Sequence, residues 1–330
     1  MSLQFYPDVV FDSTPPDEFS DDVLAACEAI KDACAGWGTD EQGVIDALGT
    51  LNGEMRHLVN LAYEQTYDKD LRKVMKSECG SGDFGFALQL MALPPHEADA
   101  MICRKAMSGM GTKERLLWPL LCGRSNEDMD LLKSTYFNMY DKDLSVQLAS
   151  ELGGDFERLI FHCLQGNEQE FDEDFHSDEK VEEDVEQFHS AGEGQWGTDE
   201  KSLFEIICKS PPTHLERVNE LYVENNEVTL LKALDTELGG DVEKGAKYAV
   251  GMKLKPFETM AAHIKSTCAG FGTDELALTC CIIRYQPYLS EINAAHEELF
   301  EKTIQDRIES EVSGDYKKLL LTIVDAACAE

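Results

Sequence analysis

Cys34-Ala35-Gly36-Trp37-Gly38-Thr39-Asp40-Glu41 is the stretch that decides the fold, because variants of it recur three more times along the chain. The other copies occupy residues 107–114, 193–200 and 268–275. Successive copies are separated by 73, 86 and 75 residues, counted from the first residue of the Gly-X-Gly-Thr tetrapeptide or its equivalent. Self-similarity at such a period predicts four equivalent structural repeats.

One acidic residue follows each copy at a nearly constant distance. It lies 42 residues after the start of the tetrapeptide in three repeats and 41 residues after it in the fourth, at Glu78, Glu151, Glu237 and Glu311. Glycines on both sides of X permit positive φ, so the carbonyl oxygens of the loop can point outward together. Carbonyl oxygens and one carboxylate are hard ligands of the kind that calcium prefers. The sequence therefore predicts calcium sites that form only when folding brings each acid to its loop.

The threonine of the tetrapeptide is expected to cap the helix that follows it. This prediction covers Thr39, Thr198 and Thr273, and Thr39 with Gln42 is expected to complete a capping box.

Apolar residues within each repeat follow a helical period. Positions 8, 11 and 12 after the start of the tetrapeptide form an i, i+3, i+4 stripe: Val44, Ala47 and Leu48; Leu117, Leu120 and Leu121; Leu203, Ile206 and Ile207; Leu278, Cys281 and Ile282. No segment alternates as a strand would, so the predicted fold class is all-α. We expect an N-terminal arm on the surface at 1–20, repeats at 21–92, 93–165, 178–252 and 253–330, and a linker at 166–177.

An acidic block explains the longer middle spacing. Of the 21 residues from Asn167 to Gln187, 11 are Asp or Glu and only Lys180 is positive. Such a block usually stays solvated and extended, which favours a linker over a calcium-binding or partner-binding segment.

Charge and cysteine content limit the function classes. The chain has 29 basic and 64 acidic residues, a formal net charge of −35, which repels nucleic acid and anionic lipid unless a cation bridges them. The 11 cysteines are odd in number, show no CxxC spacing and follow no secretory leader, so we expect reduced thiols in a cytoplasmic protein. No apolar run reaches the roughly 18 residues of a membrane span, so membrane contact is expected to be peripheral.

The repeated loop, the distant acid and the long connector after the second repeat together resemble the annexin family over residues 21–330. The resemblance implies five helices per repeat, wound as a right-handed superhelix, and four repeats in a curved disc whose convex face carries calcium and meets anionic phospholipid. It also implies three main-chain carbonyl ligands and one acid for each calcium ion. These are Cys34, Gly36, Gly38 and Glu78; Met107, Gly109, Gly111 and Glu151; Gly192, Gln195, Gly197 and Glu237; and Cys268, Gly270, Gly272 and Glu311.

The loop residue between the glycines, or its equivalent in the third repeat, is apolar in every repeat: Trp37, Met110, Trp196 and Phe271. A single aromatic in a loop usually packs against its own domain, but four apolar residues at equivalent tips predict a set of membrane contacts.

Two positions depart from the family pattern, and two others bear on a further role. Lys113 replaces the usual acid after Thr112 and is expected to weaken the second site, and Cys280 replaces an arginine that would face the centre. Asp99 and Arg124 match positions of a central polar network between the halves, which we interpret as a packing network rather than an ion path.

The predicted function is calcium-dependent binding to anionic phospholipid membranes, reversibly at their cytosolic face. The alternative is a calcium-independent structural or cytoskeletal scaffold that uses the same disc, with the acidic linker as its docking segment. An enzyme ranks third, because the sequence has no nucleophile elbow, HExxH, P-loop or EF-hand motif. Expected partners are the membrane and a cytoskeletal protein, and we expect a monomer in solution that self-associates on membranes.

Overall fold

The structure is a computed structural model that describes residues 2–12, 16–36, 38–192, 200–270 and 272–329, with the backbone alone for 191 and 192. Twenty α-helices and two short 3-10 helices, Asp8–Val10 and Gln286–Tyr288, account for most of these residues, and none of the described segments is a strand. The predicted all-α fold class is confirmed.

The helices fall into four groups of five. Repeat I has α1 Asp21–Ala33, α2 Glu41–Leu48, α3 Gly53–Tyr67, α4 Leu71–Cys79 and α5 Asp83–Met91. Repeat II has α6 Pro95–Ala106, α7 Glu114–Leu121, α8 Asn126–Tyr140, α9 Leu144–Glu151 and α10 Gly154–Leu164. Repeat III has α11 Asp178–Gly192, α12 Glu200–Lys209, α13 Pro212–Asn226, α14 Leu230–Glu237 and α15 Gly240–Leu254. Repeat IV has α16 Pro256–Thr267, α17 Glu275–Arg284, α18 Leu289–Phe300, α19 Ile304–Glu311 and α20 Gly314–Ala329.

A common corner joins the third and fourth helix of every repeat. The residue that follows the third helix has the left-handed conformation, with φ between 52° and 61°, at Asp68, Asp141, Glu227 and Glu301. Two residues later, a side chain caps the fourth helix by accepting a hydrogen bond from the backbone three residues on, at Asp70, Asp143, Thr229 and Thr303. These corners turn the chain within two residues, which fixes the direction of the fourth helix and of the acid at its end.

The predicted apolar stripe is buried. Eleven of its twelve residues are at most 6% exposed, and only Ala47 is partly exposed. The chain divides into two compact bodies: the I–IV body, Phe5–Ile102 with Met260–Glu330, and the II–III body, Met1–Gln4 with Cys103–Thr259. Within the I–IV body, α5 packs against α17 and α20, and α2 packs against α20. Within the II–III body, α7 and α10 pack against α15, and α10 also packs against α12.

The first part of the N-terminal arm is packed, whereas a surface segment was expected; residues 16–18 and 20 of the arm are exposed. Phe5 and Tyr6 are 2% and 4% exposed. In the I–IV body, the Arg284 guanidinium lies 4.3 Å from the Phe5 ring centroid, and the Tyr6 hydroxyl donates to Asp99 at 2.9 Å. The prolines and acids of residues 1–20 indicated exposure to solvent. At positions 5 and 6, the free energy gained by burying two aromatic rings favours packing instead.

The acidic linker is attached to the protein near both ends, whereas residues 169–175 between these points are exposed. In the II–III body, the buried Glu168 carboxylate pairs with Lys253 at 3.0 Å and accepts hydrogen bonds from Ser2. His176, near the other end, is 1% exposed and stacks on Phe171. The burial of Glu168 is tolerated because the buried Lys253 neutralises its charge. The density of acids along the sequence does not indicate which lysine would pair with this one.

Candidate functional site

The glycine pairs of three loops adopt the backbone conformation that the sequence indicated. The φ angles are 112° and 90° at Gly36 and Gly38, 107° and 82° in loop II at Gly109 and Gly111, and 102° and 92° in loop IV at Gly270 and Gly272. A Cβ atom at any of these six positions would meet nothing within 4 Å. Glycine is therefore required here by positive φ and not by crowding.

A threonine hydroxyl joins each of these loops to its distant acid. Oγ1 of Thr39 donates to Oε2 of Glu78 at 3.0 Å, although 39 residues separate the two. The equivalent distances are 3.1 Å from Thr112 to Glu151 and 2.9 Å from Thr273 to Glu311. The structure thus brings loop and acid together in repeats I, II and IV, including the fourth acid, which comes one residue early.

Repeat III is described only in part at its loop. Glu237 is the last residue of α14, and Gly192 is the last residue of α11. Gln195, Gly197 and Thr198 lie outside the described residues, as do the predicted membrane contacts Trp37, Trp196 and Phe271.

The capping prediction for the loop threonines is wrong where the structure describes it. Asp40 and Asp274, one residue later, cap α2 and α17 by accepting hydrogen bonds from Gly43 and Ala277. Gln42 donates to Asp46 instead of completing a capping box. The aspartate carboxylate accepts the capping hydrogen bond, so the threonine hydroxyl is free to contact the distant acid.

Loop II differs from the other loops in its charge. Lys113 stands at the position of the capping aspartate and makes no side-chain cap. Its Nζ atom instead lies 3.4 Å from the carbonyl oxygen of Ser108, inside the loop. A fixed positive charge at this place opposes a cation that would use neighbouring carbonyl oxygens.

Each predicted acid lies at the carboxyl end of a short helix. Glu151 and Glu311 are the last residues of α9 and α19, and Glu78 is one residue before the end of α4. The carboxyl end of a helix is the negative end of its dipole, so a carboxylate there gains from a nearby cation. Burial raises the pKa of the Cys34 thiol to about 11. That thiol is therefore protonated at neutral pH, which leaves the main-chain oxygen as the donor that Cys34 can offer.

Met110, at the tip of loop II, is fully exposed, with a relative exposure of 105%. A methionine that packed against its own domain would be buried, so this side chain is available for an apolar contact outside the chain.

Asp99 and Arg124 each belong to a network within their own body. Asp99, in the I–IV body, accepts from Tyr6 and lies 3.6 Å from Nε of Arg284. Arg124, in the II–III body, donates from Nε to the carbonyl oxygen of Leu120 at 3.0 Å. Both are under 8% exposed, and these contacts are those of interior packing.

Across the segments that the structure describes, no helix is long and apolar enough to cross a bilayer. The same segments contain no cluster of three or more His, Cys, Asp or Glu side chains suited to a metal ion.

Sequence comparison finds relatives over most of the chain. The profile of the Annexin family matches residues 25–91, 98–162, 183–247 and 259–323. Human annexin A7 is 32% identical over 304 residues, which cover 92% of this chain and 62% of that protein. Annexin A13 of the dog is 31% identical, covering 92% of this chain and 95% of that protein. The chain thus spans less than two thirds of annexin A7.

Comparison with solved structures also finds annexins. The solved structure of annexin III has a TM-score of 0.84 and 28% identity, covering 94% of this chain and 95% of that one. Chicken annexin V, solved in complex with Zn²⁺, has a TM-score of 0.83 and 28% identity, covering 94% and 97%. With four matched repeats that cover most of its length, the chain belongs to the annexin family.

Proposed function

We propose that this chain binds membranes of anionic phospholipid in a calcium-dependent manner through the loop and acid of each repeat. Membership of a family of calcium-dependent phospholipid-binding proteins supports the proposal. The observation that carries it for this chain is the contact between the loop threonine and the distant acid in repeats I, II and IV. That contact holds a carboxylate beside a loop whose glycines have positive φ.

The residues present fit calcium better than a softer metal. Each site would use loop carbonyl oxygens and one carboxylate, as assigned above, with Glu237 and loop III completing the set of four. Calcium bound there would supply positive charge and open coordination positions for a lipid phosphate. With a single charged protein ligand, each site alone should be weak, with a Kd of about 10⁻⁴ to 10⁻³ M.

The attraction to lipid must be local. Four calcium ions would add eight positive charges against a net charge of −35, so the protein as a whole stays acidic. At a Debye length of about 8 Å, a phosphate at a loop responds to the ion in that loop far more than to distant carboxylates. The exposed Met110 would add a shallow apolar contact beside one such ion. This function places the protein reversibly at the cytosolic face of membranes and requires no catalytic group.

Co-sedimentation with phosphatidylserine vesicles, with calcium and with chelator, tests the proposal. We expect pelleting only with calcium, and none with phosphatidylcholine vesicles. The double variant Glu78→Gln with Glu311→Gln should need several-fold more calcium, because each site loses its charged ligand. Glu64→Gln with Glu297→Gln is the matched control, since these exposed acids lie four residues before the corners of repeats I and IV.

Two outcomes would reject the proposal. Equal pelleting in chelator would favour the calcium-independent scaffold. Equal calcium requirements for the two double variants would show that the loop acids are not ligands.

A further inference from the structure

Three thiols meet in the interior of the II–III body. Sγ of Cys163, in the last turn of α10, lies 3.6 Å from Sγ of Cys122 and 3.7 Å from Sγ of Cys208. Cys122 follows the end of α7 in repeat II, and Cys208 lies in α12 of repeat III. None of the chain's 11 cysteines is in a disulfide in this structure. The central thiol of Cys163 is thus in contact with a thiol of its own repeat and a thiol of the next one.

Two of the three cysteine residues border a cleft that opens to solvent. Cys163 and Cys208 are partly exposed and line a small open cleft, wide enough for a water-sized molecule, whose other walls include Lys253 and Glu168. Cys122 is fully buried and does not line the cleft. A small oxidant that enters the cleft therefore meets Cys163 or Cys208 first, and each of these has the other in van der Waals contact.

The surroundings of the two thiols disfavour the reactive thiolate form but do not exclude it. The hydrogen bond to Cys122 and burial raise the pKa of the Cys163 thiol, and the contact with Cys163 and burial raise the pKa of Cys208. The nearby Lys253 ammonium acts in the opposite direction on both. It is held in place by the carbonyl oxygens of Cys208 and Ser210, at 3.1 Å and 2.6 Å. Because the thiolate is the reactive form, reaction should need sustained exposure to the oxidant.

We propose that Cys163 and Cys208 form a peroxide-dependent disulfide that links repeat II to repeat III. The first thiol, as its thiolate, attacks one oxygen of hydrogen peroxide; an S–O bond forms, the O–O bond breaks, and the departing oxygen takes a proton and leaves as water. The second thiol then attacks the sulfenic sulfur; the S–S bond forms, the S–O bond breaks, and a second water leaves. Two thiols are oxidised and one peroxide is reduced to two waters.

The bond would change how this body is held together. It would close a segment of the chain that contains the whole acidic linker, since residues 166–177 lie between its two ends. The ends of that segment are now joined by packing of α10 on α12 and through Lys253, which pairs with Glu168 near one end and donates to the carbonyl oxygen of Cys208 at the other. A covalent link restricts the unfolded chain as well, so the oxidised form should unfold at a higher temperature than the reduced form.

Peptide mapping of the full chain tests the pairing directly. The native protein is treated with hydrogen peroxide, its remaining thiols are blocked with N-ethylmaleimide, and the digest is analysed by mass spectrometry. We expect a linked peptide pair containing residues 163 and 208, loss of two of the 11 thiols, and recovery of both with dithiothreitol. This readout uses the unaltered chain and does not depend on whether a variant folds.

Variants then separate the members of the cluster. Cys208→Ser and Cys163→Ser should each abolish the linked pair, whereas Cys122→Ser should leave it in place. A pair that joins residues 122 and 163, irreversible oxidation of either cleft thiol, or the same reversible thiol loss in Cys208→Ser would each overturn the proposal. The vesicle assay of the loop sites is independent of all these results.

Discussion

The glycine pair of loop II allows a direct test of whether backbone conformation makes the proposed metal site. Gly111 has φ +82°, and a Cβ atom there would meet nothing within 4 Å. The free-energy cost of Gly111→Ala therefore comes from backbone strain and not from a steric clash with neighbours. That cost is about 1 to 2 kcal/mol for a residue forced into the left-handed region. Because the calcium-free loop is exposed, it can relieve the strain by leaving positive φ, which redirects its carbonyl oxygens. Calcium must then restore the conformation, so its affinity for loop II should fall about 5- to 30-fold.

The assay must report on loop II alone, and Met110 provides the reporter. Its methyl group is fully exposed at the tip of the loop, so with ¹³C-methyl methionine its NMR signal should be sharp and should shift as calcium fills the site. The Met110 resonance is assigned from its absence in Met110→Leu. The calcium concentration at the midpoint of its shift is then compared between Gly111→Ala and the parent chain.

Gly166→Ala is the matched control. Gly166 also has positive φ, +56°, and a Cβ atom there would make only ordinary contacts, 3.6 Å or longer, but it lies in the linker. It should lower the free energy of unfolding by about 1 kcal/mol and leave the midpoint of loop II unchanged. If Gly111→Ala also leaves that midpoint unchanged, positive φ does not hold the loop in a calcium-binding form and the reasoning fails.

Three further predictions concern other groups. Lys113→Asp removes the ammonium near the Ser108 carbonyl and adds a charge of opposite sign, so loop II should bind calcium about fivefold more tightly, or about 1 kcal/mol, by the same NMR midpoint. The control is Lys142→Asp, which changes an exposed lysine at the corner between α8 and α9 and should alter the calcium midpoint of loop II little. Met110→Ala should speed dissociation from phosphatidylserine vesicles at saturating calcium, measured by stopped flow, and leave the calcium midpoint of loop sites I and IV unaltered; an unchanged rate would contradict a membrane contact. Burial lowers the pKa of His263 to about 3, below the value of about 6.5 in an unfolded chain. The unfolded state then binds the extra proton, so the free energy of unfolding should fall as pH drops below 6.5. His263→Gln should reduce that slope by up to about 1.4 kcal/mol per pH unit in urea titrations, and an equal slope would refute the assignment.

The features that the sequence predicted correctly are those with a local or repeated signal. The stripe that contains Val44 and Leu48 has the helical period, and its recurrence at one offset in four repeats identified equivalent helices. The pairing of loop and acid could be predicted although about 40 residues separate them, because nearly the same spacing occurs four times. A single copy of Gly36 and Glu78 would have indicated nothing.

The features that the sequence did not reveal depend on partners that the fold brings together once only. Glu168 is buried because Lys253 lies opposite it, and nothing in the acidic block marks one of its many acids for that role. The three clustered thiols of the II–III body come from α10, from α12 and from the residue that follows α7, without any motif spacing. The role of Thr39 was detectable in principle, since a threonine recurs in all four loops although the residue after it varies from Asp40 to Lys113.

The weakness of each proposed site explains why vesicle binding and loop occupancy should respond differently to the same substitution. A proposed site with three carbonyl oxygens and one carboxylate leaves coordination positions for lipid, so calcium and membrane must strengthen each other's binding equally. Several such contacts on one chain add by avidity, because after the first contact the others form at a high effective concentration. Loss of one loop by Gly111→Ala should therefore move the calcium midpoint of vesicle binding less than that of the Met110 signal. Equal shifts in the two measurements would mean that loop II alone carries the attachment and that the other repeats contribute no membrane contact.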